Sequence, residues 1–187
     1  MDWTRFKSLT ARQAAALCLY YGFARYLPGK PGDWLRTALC RHIFQKCGKR
    51  FLVCRMAFFG IGTGIEIGER SAIGIRAHIP RDTVIGNDVL MAPDCVIMDR
   101  NHRYIRSDIP INRQGVTERK RTVIGDDVWI GREVLVTPGR TIRRGCVIAA
   151  RCVLSKDFEA YSVVGGNPPR VLKKRIRAGA GQDGGQG

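Results

Sequence analysis

Between Ile61 and Leu154 the chain repeats every six residues. Long or branched apolar side chains fall at Ile61, Ile67, Ile73, Ile79, Ile85, Met91 and Ile97. After a polar interval they resume at Ile124, Ile130, Val136, Ile142, Ile148 and Leu154. Glycine often follows, at Gly62, Gly68, Gly74, Gly86, Gly125 and Gly131. Four residues after most apolar positions stands a small or β-branched side chain, such as Ser71, Ala77, Thr83, Val89, Cys95, Val128, Val134, Cys146 or Cys152. A six-residue unit cannot bury its own apolar side chain, so it must stack on copies of itself. The residues favour strands, and the recurring glycine predicts a sharp bend between strands. Three such units close one triangular coil with its apolar side chains inward. Thirteen repeats predict about four coils, a prism roughly 20 Å tall at the ~4.8 Å strand spacing.

The flanks do not repeat. Residues 1–50 predict a helical cap. Thr10 with Gln13 reads as a capping box for a helix that stops at Pro28-Gly29. A second helix is expected from Asp33, with Trp34, Leu35, Ala38, Leu39, His42 and Ile43 on one face and Arg36, Arg41 and Lys46 off it. This segment suits the open end of a solenoid, whose first coil needs a cover. Being basic and aromatic, it also suits an anionic membrane surface. The solenoid is expected over 51–156, a C-terminal extension over 157–177, and a disordered glycine-rich tail over 178–187. The repeat breaks once, at 98–121, where a charged stretch predicts a loop leaving one edge. His78, last in its repeat, is expected at an exposed turn.

Composition narrows the partners. The 187 residues carry 32 Lys and Arg against 16 acids, a net charge of +16. Such a chain favours anionic partners: a nucleotide cofactor, a membrane surface or nucleic acid. No nucleic-acid motif is present, so nucleic acid is not expected. Seven cysteines without a CxxC pair or signal peptide predict reduced thiols in the cytoplasm. Cys95, Cys146 and Cys152 fall at inward positions and read as small hydrophobes. The longest apolar run, Ala14 to Ala24, is too short to span a bilayer.

The segment NH at 101–102, PI at 110–111, then VIGDDVWIG, PG, VLSKD and YSVVGGNPPRVL resembles the hexapeptide-repeat acyltransferases, in their sugar O-acetyltransferase branch. The likeness covers about 51–176. The YYGFARYLPG and CGKR segments resemble the exopolysaccharide and lipopolysaccharide acetyltransferases of that group. The resemblance implies an all-β solenoid, a left-handed parallel β-helix, against the usual right-handed rule for parallel crossovers. It implies a homotrimer with sites in clefts between prisms, acetyl-CoA as donor, no metal, and a sugar or glycan hydroxyl as acceptor. Such an enzyme is expected in the cytoplasm, peripheral to the inner membrane if the cap touches lipid.

The transfer needs a base for the hydroxyl proton, and histidine titrates in the right range. Of His42, His78 and His102, only His102 lies where the family keeps its base. Asp99, Asp108 and Glu118 are alternative orienting partners, and Asn101 suits either the loop's conformation or the acceptor. Asp99 is also assigned to the substrate side. Trp129 precedes the inward Ile130 and therefore points outward, where the resemblance places the pantetheine arm of CoA. Gly131, Ala149 and Ala150 correspond to slim residues lining the CoA groove, and Lys156 and Arg170 to phosphate-side cations. Arg132, Arg140, Arg143 and Arg151 stand where relatives keep small residues. They suit either extra phosphate contacts or a narrowed groove, which leaves a non-catalytic scaffold as one alternative. A small xenobiotic acceptor is another. A γ-type carbonic anhydrase would need three zinc-binding histidines, and the solenoid has only His78 and His102.

Overall fold

The computed structural model describes residues 9–175. A parallel β-solenoid with three faces carries two helices at its N-terminal end. The first face stacks Lys46–Cys47, Glu66–Ile67, Val84–Ile85, Val123–Ile124 and Thr141–Ile142. The second stacks Leu52–Val53, Ala72–Ile73, Leu90–Met91, Trp129–Ile130, Val147–Ile148 and Ser162–Gly165, and ends on the antiparallel strand Arg170–Lys174. The third stacks Val96–Ile97, Leu135–Val136 and Val153–Leu154, and single bridges from Phe58 to His78 and from His78 to Val96 extend it. Five complete coils result, with part of a sixth, rather than about four. The additional first coil is built from residues 46–58, which begin five residues before the expected start at 51; its inward residues Cys47, Val53 and Phe59 are six apart but two places out of phase with the series from Ile67 onward.

The repeat's inward positions form the core. Ile67, Ile73, Ile79, Ile85, Met91, Ile97, Ile124, Ile130, Val136, Ile142, Ile148 and Leu154 are all buried. The small side chains four residues later are buried beside them, including Cys95, Cys146 and Cys152 as free thiols. Removing each large side chain from water contributes about 1.5–3 kcal/mol. Ile61 is only partly buried, and Ile65 fills the core position there.

The bends do not sit at the glycines that directly follow the inward residues. The left-handed residues three places after an inward apolar residue are Met56, Arg70, Arg76, Asp88, Asp94, Asp127, Glu133 and Arg151, with glycine at the same place in Gly139 and Gly145. Of the six glycines that directly follow an apolar repeat position only Gly62 has a positive φ. The others are required by the stacking: a Cβ on Gly68 would lie 2.5 Å from the carbonyl carbon of Gly86, and one on Gly131 would lie 2.6 Å from the nitrogen of Ala150.

The cap forms as two helices. α1, Ala11–Gly22, starts on the Thr10/Gln13 capping box, and a 3₁₀ turn, Ala24–Tyr26, follows it. α2, Gly29–Ile43, begins four residues before Asp33, with Pro31 tolerated in its first turn. The face of α2 that meets the solenoid differs from the expected one. Arg36 is fully buried, with Gly32, Cys40 and Ile43, while Trp34 is 73% exposed. The Arg36 guanidinium donates to the carbonyls of Val53 (3.0 Å), Ala24 (2.9 Å) and Leu27 (2.6 Å), and pairs with Asp33. It thereby joins α2, the 3₁₀ turn and the first coil. Tyr20 and Phe44 pack on Phe59, and the Tyr20 hydroxyl donates to Ala57 O, closing the open end of the prism. Among the described residues no helix is long and apolar enough to cross a membrane. The expected tail, 178–187, lies outside the described residues.

Candidate functional site

The break in the repeat is an ordered arm. It leaves the third face after Ile97 and returns to the first face at Val123. Its two limbs run antiparallel. Arg103 N donates to Gly115 O, Thr117 N to Asn101 O and Lys120 N to Asp99 O, and His102 bridges Val116. Asn101 N donates to the Thr117 hydroxyl oxygen at 3.0 Å. This pairing fixes the backbone of 99–103 at the arm's base. The tip is held separately, by the Arg106–Asp108 ion pair and by Gln114 Nε2 donating to Arg106 O and Ile109 O.

Between the arm's base and the third face lies a pocket of about 760 Å³. Asp99, Asn101 and His102 line it from the arm, and Phe58, His78 and Val96 from the face. Asp99 pairs with Arg119 at 3.3 Å and lies 3.8 Å from Arg100. Asp108 is engaged at the tip, and neither it nor Glu118 lines the pocket. His78 occupies a strand position, not a turn, with its ring edge-on to Phe58 at 4.8 Å. Burial, and then the nearby Arg25, hold its pKa below the usual histidine value against the opposing pull of Asp99. The phase that places Trp129 outward before Ile130 also places His78 outward before Ile79, so the signal for His78 was present in the repeat. Phe58 carries no such signal, because its coil is out of phase.

The residues assigned to a cofactor lie elsewhere. Trp129 stands on the second face, 52% exposed, in register with Leu90 and Val147. Gly131 packs on the backbone of Ala150, and Ala149 N donates to Val164 O. Arg170 begins the last strand opposite Gly165, and the Lys156 ammonium sits 5.5 Å from the Phe158 ring. None of these six lines the pocket around His102. One chain therefore brings His102, Asn101 and Asp99 together and keeps Trp129 and its neighbours apart from them.

The four unexpected arginines are paired within the chain. Arg132 bonds Asp94 at 3.3 Å and lies 3.8 Å from Glu133; Arg151 meets Glu133 at 2.8 Å. Arg140 pairs with Asp157 and Arg143 with Glu159. They act as rungs between successive coils. Among the described residues no group of three His, Cys, Asp or Glu side chains is placed to hold a metal ion.

Residues 121–156 match the bacterial transferase hexapeptide family (six repeats). Over 141 residues the chain is 30% identical to the acetyltransferase-family protein YJL218W of Saccharomyces cerevisiae, covering 74% of this chain and 70% of that protein. Among solved structures it resembles a galactoside acetyltransferase in complex with coenzyme A, with TM-score 0.74 and 26% identity over 87% of this chain and 80% of that one. It also resembles a maltose O-acetyltransferase from Clostridium difficile 630, with TM-score 0.71 and 28% identity over 94% and 90%. Other relatives are longer than the match. It covers 45% of the Mycobacterium tuberculosis acetyltransferase-type protein Rv3034c and 26% of the Agrobacterium fabrum chloramphenicol acetyltransferase, at 52% identity over 55 residues. It covers 65% of WbbJ, a lipopolysaccharide-biosynthesis O-acetyltransferase homologue of Escherichia coli K12. The chain thus spans less than half the length of the first two of these curated relatives. On the repeat, the coils and these matches, the chain belongs to the hexapeptide-repeat acyltransferase family, near its sugar O-acetyltransferases, and its solenoid is that family's left-handed parallel β-helix.

Proposed function

We propose that the protein transfers an acetyl group from acetyl-CoA to a sugar hydroxyl, with His102 as general base. The observation that carries this reading is the pocket at the arm's base, where His102, Asn101 and Asp99 converge against the solenoid. The histidine takes the hydroxyl proton as the oxygen attacks the thioester carbonyl. The tetrahedral intermediate collapses with loss of the CoA thiolate, and the same proton passes to that sulfur. A positioned base of this kind contributes roughly 10²–10⁴-fold. Asp99 is the better of the candidate orienting groups, since it alone of the three lines the pocket.

We infer that copies of the chain assemble as a homotrimer, so that Trp129, Gly131, Ala149, Ala150, Lys156 and Arg170 of one copy face the pocket of the next and hold the cofactor. The separation of the two sets on one chain supports this. The pairing of these arginines with Asp94, Glu133, Asp157 and Glu159 supports the transferase reading over a non-catalytic scaffold, because it holds them along the coil edges. A glycan of the exopolysaccharide or lipopolysaccharide type is the favoured acceptor, supported by the likeness to WbbJ and to galactoside and maltose enzymes. The 52% identity to a chloramphenicol acetyltransferase over 55 residues favours a second reading, a small hydroxyl compound. We also infer that the cap rests on an anionic membrane surface.

His102→Ala is expected to lower turnover at least ~10²-fold while acetyl-CoA binding, followed by calorimetry, stays unchanged. Mixing that variant with Trp129→Glu during refolding is expected to restore roughly a quarter of the sites, since each site draws on two copies. Near-normal turnover in His102→Ala would remove the base, and no recovery on mixing would remove the shared site.

A further inference from the structure

The charged side chains that line the pocket are nearly all of one sign. Arg81, Arg100 and Arg119 face a single carboxylate, Asp99. That carboxylate is already engaged by Arg119 and Arg100. A fourth guanidinium stands behind the wall: Arg25 lies 5.6 Å from the ring centre of Phe58, which lines the pocket. Arg81 differs from the arginines of the coil edges. Arg70, Arg76, Arg132, Arg143 and Arg151 each meet a carboxylate on a neighbouring coil, whereas Arg81 has no ion-pair partner among the described residues and opens on the pocket. Unmatched positive charge in a walled cleft focuses the field and concentrates anions there. Guanidinium also suits carboxylate and phosphate geometrically.

We propose that the acceptor is an acidic sugar, a uronic acid or a sugar phosphate, whose anion is seated by Arg81 and Arg100 while a hydroxyl faces His102. Phe58 offers the sugar an apolar surface beside His78 on the same wall. This rests on the transferase reading above, and it adds the charge of the substrate to it. The competing occupant of the same charges is the phosphate portion of acetyl-CoA, and the test separates the two.

The experiment compares glucose, glucuronic acid and glucose 1-phosphate with the full-length protein, Arg81→Gln and Arg81→Lys. Two readouts are taken: acetyl transfer from acetyl-CoA, and direct acceptor binding by ligand-observed NMR without cofactor. The expected result is a kcat/KM for at least one acidic sugar tenfold or more above glucose, falling as salt is added. Arg81→Gln is expected to remove that preference through KM, with the acetyl-CoA KM unchanged, and Arg81→Lys to recover part of it. Equal use of glucose, or a loss that appears in the acetyl-CoA KM, overturns the proposal. Absence of transfer to every acceptor counts against the transferase reading instead, and the binding arm then decides. Glucuronic acid or glucose 1-phosphate bound in preference to glucose, and lost in Arg81→Gln, keeps the anion site. No such preference removes it.

Discussion

A methyl group added at Gly68 would lie 2.5 Å from the carbonyl carbon of Gly86 in the next coil. No real side chain sits so close to backbone, and a parallel ladder at fixed spacing has no slack. Gly68→Ala is therefore expected to cost about 1–3 kcal/mol as the coils are forced apart. Gly60→Ala has open space around its Cβ and only the strain of a φ of +60°, worth roughly 1 kcal/mol. Urea unfolding of the two variants checks the order. Equal losses would mean that bending, and not stacking, selects the repeat's glycines. The bends themselves are mostly held by residues other than glycine, Gly139 and Gly145 apart. Asp88, Asp94 and Asp127 adopt the left-handed region at φ of 55°, 65° and 55°, which aspartate tolerates better than most side chains. Arginines at the same position repay part of that strain by reaching to the next coil, as Arg70 does to Asp88 and Arg76 to Asp94.

The helical cap is joined to the solenoid by a buried charge as well as by aromatic packing. Three carbonyls and Asp33 converge on Arg36, so removal of the guanidinium strands all of them. Arg36→Ala is expected to destabilise the fold by about 3–5 kcal/mol, while Trp34→Ala, on the exposed side of α2, stays within ~0.5 kcal/mol. Denaturant titration of both distinguishes this docking from one carried by the tryptophan. Periodicity assigned these two residues the other way round. It ranked side chains by polarity, whereas the cap's underside has to satisfy the backbone carbonyls of the 3₁₀ turn and its C-terminal end, Ala24 and Leu27, and of the first coil. The arm shows the same limit. Its polar sequence announced a loop, but its antiparallel pairing is backbone bonding without a hydrophobic signature.

Charge is distributed unevenly over the whole molecule. On the solenoid, arginines are matched coil to coil by Asp88, Asp94, Glu133 and Glu159. In residues 9–50 eight Lys and Arg stand against Asp33 alone, and that acid is taken by Arg36. The outward stripe of α1 is nearly all apolar: Ala11, Ala15, Cys18, Leu19 and Gly22 are exposed and lead to Phe23 and Tyr26. An apolar stripe bordered by cations suits an anionic bilayer. The protein is expected to pellet with phosphatidylglycerol vesicles at low salt but not with phosphatidylcholine vesicles, and Leu19→Glu with Phe23→Glu is expected to abolish pelleting. Equal pelleting with both lipids, or none, would sink the membrane contact.

The solenoid was legible from the sequence because each repeat makes the same local demand. An inward apolar residue every six places has one solution, stacking, and that solution does not depend on distant parts of the chain. The outward position of Trp129 followed from the same phase. So did that of His78, although the residue was read as a turn. Tertiary structure alone decided what depends on neighbours outside the repeat. It joined the first coil, residues 46–58, to the rest across a two-place shift of phase, chose Arg36 over Trp34 as the buried side chain, and paired the edge arginines with carboxylates on adjacent coils. It also drew Phe58, His78, Arg81 and Arg119 around His102. These side chains lie up to 61 positions apart, from Phe58 to Arg119, and only the return of the chain to the same face, coil after coil, makes them neighbours.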